Sequence, residues 1–151
     1  MEGTPEFVSY KKLMIFGSEG TGKSSLVKRI ERGSFTNEVH TENGKYYNLF
    51  KNLIDFVTSK IVADLEQGKT LDLNIYEIRI DDNFVKNTDL IQSFVFECQC
   101  VLFLVDITNT DSFSLIKQLI TNFDFNKYPY IKKIVVQNKF DLESTRQVSS
   151  F

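Results

Sequence analysis

Gly17-Ser18-Glu19-Gly20-Thr21-Gly22-Lys23-Ser24 follows the apolar run Lys12-Leu13-Met14-Ile15-Phe16 and precedes Ser25-Leu26-Val27-Lys28-Arg29-Ile30. The order is strand, tight glycine loop, helix, with the spacing G-x-x-x-x-G-K-S. Glycines let a backbone curl until successive N–H groups point inward at phosphate oxygens. A helix starting near Lys23 aims its positive end at the same place. Lys23 is placed to bridge outer phosphates, and the Ser24 hydroxyl to take one position around a hard, octahedral Mg²⁺. Glu19, Gly20, Thr21, Gly22, Lys23, Ser24 and Ser25 are therefore the candidate phosphate-binding residues.

The rest of the composition narrows the class. A chain of 151 residues suits one domain. Eighteen Lys and Arg against 20 Asp and Glu, a net charge of −2, argue against a partner held by charge alone, such as nucleic acid or a membrane surface. No apolar run reaches transmembrane length, and there is no signal peptide or prenylation cysteine. The expectation is a cytoplasmic protein without a membrane anchor of its own, peripheral to membranes only through partners. Cys98 and Cys100 are too close for a disulfide or a tetrahedral zinc site, and read as free thiols beside an apolar strand.

Read in order, residues 1–9 predict a flexible leader and residues 10–151 a single domain. Tyr10–Phe16 predicts the first strand, and Ser24–Arg32 a helix stopped by Gly33. Residues 34–52 are polar, with Asn43-Gly44 as a turn signal, and predict a long functional loop. Ile54–Leu65 and Thr70–Ile80 predict a hairpin about Gln67-Gly68. Residues 81–92 are ambiguous. Val101–Val105 predicts a buried parallel strand ended by Asp106. Thr110 or Asp111 caps a helix burying Phe113, Ile116, Leu119 and Ile120. Ile134–Val136 is another strand, delivering Asn138-Lys139-Phe140-Asp141 at its carboxyl end, on the rim where open α/β sheets bind ligands.

With the phosphate loop first and Asn138-Lys139-x-Asp141 late, the chain resembles the Ras-like small GTPases, and the Rab branch most. Gly68-Lys69-Thr70-Leu71-Asp72-Leu73-Asn74-Ile75-Tyr76 is similar to the Rab run G-K-T-I-K-L-Q-I-W. Val105-Asp106-Ile107-Thr108-Asn109-Thr110-Asp111-Ser112-Phe113 is similar to Y-D-V-T-D-x-E-S-F. Asn138-Lys139-Phe140-Asp141-Leu142, followed by Arg146, Val148 and Ser149, matches N-K-x-D-L-x-x-x-R-x-V-S. The resemblance implies an α/β P-loop NTPase fold. Its sheet is mostly parallel, with helices on both faces and one antiparallel hairpin strand. It further implies GTP or GDP with Mg²⁺ as cofactors. A carboxylate at Asp141 accepts from the guanine ring N–H and exocyclic amine together, a pair adenine lacks. Lys139 would lie along the base, Asn138 would tie the tetrad to the phosphate loop, and Phe35 holds the family's aromatic position.

Four departures from the family pattern bear on turnover. The family's Asp-x-x-Gly-Gln is here Glu77-Ile78-Arg79-Ile80-Asp81, so Glu77 replaces the metal-orienting Asp and Ile80 replaces the phosphate-sensing Gly. The water-positioning Gln is missing from the next position. Glu19 stands where the family needs a small residue. The first switch loop is expanded; Thr41 is the substitute metal ligand by its distance from Phe35, and the alternative is a drifted loop with no threonine ligand. The metal set is then Ser24, Thr41 and Glu77. Lastly, only ten residues follow Asp141, so the expectation is a domain lacking the family's final strand and helix, or a piece of a larger protein, with apolar residues near Lys11 and Lys133 bared and a dimer or an additional domain as cover. The implied function is a Rab-like switch or binding module, at most a slow GTPase, which meets protein effectors or regulators through loops 34–52 and 78–93. The alternative is a pseudo-GTPase that does not cycle nucleotide.

Overall fold

The computed structural model describes residues 7–31, 36–47 and 53–148. Six strands form one sheet: β1 (Phe7–Gly17), β2 (Thr36–Tyr47), β3 (Leu53–Leu65), β4 (Lys69–Arg79), β5 (Cys100–Asp106) and β6 (Lys132–Asn138). Their order across the sheet is β2-β3-β4-β1-β5-β6. β1 pairs in parallel with β4 and β5, and β5 with β6, while β3 runs against both its neighbours. The helices are α1 (Lys23–Glu31), α2 (Thr88–Val95) and α3 (Thr110–Asn122).

Strand alternation divides the apolar side chains into two cores. Met14 and Phe16 of β1 join Ile78, Val101, Phe103 and Val105 beneath α2 and α3, which contribute Leu90, Ile91, Val95, Ile116 and Leu119. Leu13 and Ile15 face the other way, where Ile61, Ile75 and Leu104 meet Val27 of α1. Helices thus cover both sheet faces, and the parallel strands present their carboxyl ends to one rim.

Several local expectations need correction. Phe7–Ser9, assigned to the leader, extend β1 and pair with Lys69–Leu71. Residues 36–47, read as a loop, form β2; Asn43 and Gly44 stand opposite Val57 and Phe56 instead of turning the chain. Edge strands need little burial, so polar composition does not exclude one, and pairing to β3 overrides the local turn preference. The β3–β4 hairpin turns at Gln67 and Gly68, both at positive φ (64° and 69°).

The ambiguous stretch after β4 is ordered by its own side chains. Asp81 Oδ1 accepts from the Asn83 and Phe84 amides (3.0 and 2.8 Å), and Asn87 Oδ1 accepts from Leu90 N at the start of α2. α3 is capped by Asn109, whose Oδ1 accepts from Asp111 N, and not by Thr110 or Asp111. Ile120, expected on the buried face, is 42% exposed. It lines a groove of about 470 Å³ with Phe113, Ile116, Lys117, Thr121 and Val135. Beside Lys11 and Lys133, Tyr10, Ile134 and Val135 are exposed. Cys98 is buried, Cys100 is half-buried, and both are free thiols.

Candidate nucleotide site

The turn from β1 into α1 is closed by its own polar groups. Thr21 Oγ1 donates to Ser18 O (2.9 Å), and the Lys23 ammonium curls back to donate to Gly17 O (3.0 Å) and Ser18 O (2.9 Å). Gly22 carries φ +96°, and a Cβ there would run into the Asn138 side-chain amide. Only glycine satisfies both demands. Burial pushes the Lys23 pKa down to about 8; Glu77 and Glu19 oppose that shift, and Arg79 adds to it. An anion placed on the loop would raise it again.

Two residues of the expected metal set meet. Ser24 Oγ, at the first turn of α1, donates to Glu77 Oε1 of β4 at 2.8 Å, and Glu77 is buried. Both are hard oxygen groups of the kind Mg²⁺ accepts. Among the described residues no cluster of three or more His, Cys, Asp or Glu could hold a metal unaided, so a cation here would share phosphate and water oxygens. Thr41 is not brought to them. It lies on the edge strand opposite Ser59, two strands outward from β4. Counting two strand spacings, its backbone lies roughly 10 Å from β4.

The second half of the rim is the carboxyl end of β6. Asn138 Nδ2 donates to Thr21 O at 2.9 Å, across 117 residues of sequence. Lys139 takes φ +66°, a conformation rare outside glycine, and its ammonium lies 2.8 Å from Asp106 Oδ2. Burial would raise the Asp106 pKa, but the Lys139 ammonium and the Thr108 hydroxyl and amide (2.6 and 2.8 Å) outweigh it and hold the carboxyl below its ordinary value. Asp141 sits exposed just beyond, in the helical turn Phe140–Thr145. The chain after it is pinned by Gln147 N and Val148 N, which both donate to Ile107 O. Phe35 lies outside the described residues.

Asp106 was missed as a site residue, although an acid ending an apolar strand on this rim is a legible signal. So was the ion pair of Arg79 with Glu19 (3.4 Å), which no spacing rule announces.

The Ras family model matches residues 12–151. The chain belongs to the Ras family. It is 29% identical over 147 residues to the Ras-related protein Rab-1C of Dictyostelium discoideum, a match covering 97% of this chain and 66% of that protein. It is 30% identical over 138 residues to the GTP-binding protein ypt2 of Schizosaccharomyces pombe (91% and 62%). It is 28% identical over 148 residues to the GTP-binding protein yptV2 of Volvox carteri (98% and 61%). The chain thus spans about two-thirds or less of the length of these relatives. In this Rab-like Ras-family domain, Asn138 joins the end of β6 to the glycine loop. Among the described residues, no helix is long and apolar enough to cross a membrane.

Proposed function

We propose that this domain binds GTP or GDP with Mg²⁺ and acts as a switch or binding module with impaired intrinsic hydrolysis. The observation that supports the reading is the Asn138–Thr21 hydrogen bond, which ties the end of β6 to the glycine loop. On this reading Gly20–Ser25 would hold phosphates, Ser24 and Glu77 the cation, and Lys139 and Asp141 the guanine. The cation neutralises phosphate charge when bound. Two relatives named as GTP-binding proteins support the choice of nucleotide.

Three features support slow hydrolysis. Ile80 N, at the family's phosphate-sensing position, donates instead to Gly17 O (3.0 Å). Asp81 replaces the water-positioning Gln, and its Oδ1 is engaged by two backbone amides. Glu19 adds a negative side chain to the phosphate loop. The Ile80 amide equally favours the second reading, a pseudo-GTPase that does not cycle. Effectors or regulators, in vesicle traffic, would meet residues 34–52 and 78–93.

Titration with fluorescent GDP, GTP and ATP, with and without Mg²⁺, tests this. Guanine nucleotides bind, and Lys23→Ala or Asp141→Ala abolishes binding. Equal affinity for ATP overturns the base assignment. Single-turnover hydrolysis at the rate of ordinary family members overturns the impaired-hydrolysis reading.

A further inference from the structure

Arg79 ends β4 directly beside Gly17, the residue that opens the phosphate loop, and the Ile80 amide bonded to Gly17 O fixes the backbone at that point. Its guanidinium therefore reaches the loop from a rigid base. Arg79 Nη2 lies 3.4 Å from Glu19 Oε2, with both side chains substantially exposed (48% and 77%). Arg79 is also near enough to Lys23 to disfavour its charge. The loop thus gathers two cations, Lys23 and Arg79, against two carboxylates, Glu19 and Glu77.

We propose that Arg79 is a ligand for the terminal phosphate of a bound triphosphate, with Glu19 as the carboxylate it leaves to make that contact. The inference rests on the phosphate-binding reading of the loop given above. An exposed ion pair is weak and readily exchanged. A phosphate offers three acceptor oxygens to the planar fork of a guanidinium, a better match than one carboxylate edge. Glu19 then acts as a built-in competitor. It repels the terminal phosphate and holds Arg79 until a triphosphate displaces it. Arg79 would accordingly set the preference between tri- and diphosphate.

The test is the affinity of a non-hydrolysable GTP analogue and of GDP for the wild type and for Arg79→Ala, Arg79→Lys and Glu19→Gln. Inorganic tripolyphosphate and pyrophosphate are titrated in parallel. Arg79→Ala weakens triphosphate binding about tenfold or more while diphosphate affinity moves less than about threefold. Arg79→Lys recovers part of the loss, and Glu19→Gln tightens triphosphate binding. Equal effects of Arg79→Ala on tri- and diphosphate, or weaker triphosphate binding in Glu19→Gln, overturn the proposal. If the wild type binds no guanine nucleotide, the guanine reading fails by itself. Tripolyphosphate against pyrophosphate then decides Arg79 alone.

Discussion

Asn138 Nδ2 lies 2.9 Å from the carbonyl oxygen of Thr21, and the same amide fills the space a Cβ on Gly22 would need. One side chain from the end of β6 thereby fixes the path of the phosphate loop. Asn138→Ala leaves that carbonyl without its donor. It is expected to lower stability by about 1 kcal/mol and to weaken nucleotide binding, both read by urea denaturation and titration.

Gly20 and Gly22 separate backbone strain from crowding. Both have positive φ (+77° and +96°), but a Cβ at Gly20 meets nothing within 4 Å, whereas one at Gly22 meets Asn138. Gly20→Ala should cost about 1 kcal/mol, the left-handed penalty alone. Gly22→Ala should cost clearly more and displace Asn138. Equal midpoints for the two variants in chemical denaturation would show that the Asn138 contact does not constrain the loop.

Ile80 occupies the place of a family glycine yet is 1% exposed, in the same core as Phe16 and Phe84. Restoring glycine therefore removes a core side chain. Ile80→Gly is expected to destabilise the domain by about 3–5 kcal/mol. A variant of near wild-type stability would mean that Ile80 is dispensable to packing.

The lowered pKa of Lys23 carries a definite pH dependence. Between about 8 in the folded state and the ordinary 10.5 the unfolded chain binds more protons, so stability from this group rises with pH across that interval. Anion binding moves oppositely, since it needs the charged ammonium. Tripolyphosphate affinity should fall as pH passes about 8, and Lys23→Met should remove both trends, as read by titration and denaturation at pH 7 and pH 9.

Asp106 has the reverse sign. Its carboxyl is held below the ordinary 3.8 by Lys139 and Thr108, so its contribution is present above that value and lost as pH falls through the folded pKa. Lys139→Met should flatten this acid limb and cost about 1–3 kcal/mol near neutrality, between the worth of exposed and buried pairs. Acid titrations of both proteins by circular dichroism make the comparison.

What the sequence determined by itself was carried by neighbours a few residues apart. The phosphate loop follows from Gly17–Ser24 between a strand and a helix, and the β3–β4 hairpin from Gln67-Gly68. The shared rim follows from Asn138-Lys139-Phe140-Asp141 at the end of a strand. Only the tertiary structure turned polar residues 36–47 into an edge strand, moved Thr41 away from Ser24 and Glu77, and buried Ile80. It alone paired Arg79 with Glu19 and left Ile120 in an open groove. The physical reason is range. Turn chemistry and periodicity act within one element, whereas the partner of a side chain on the rim is set by sheet order, which no local pattern encodes.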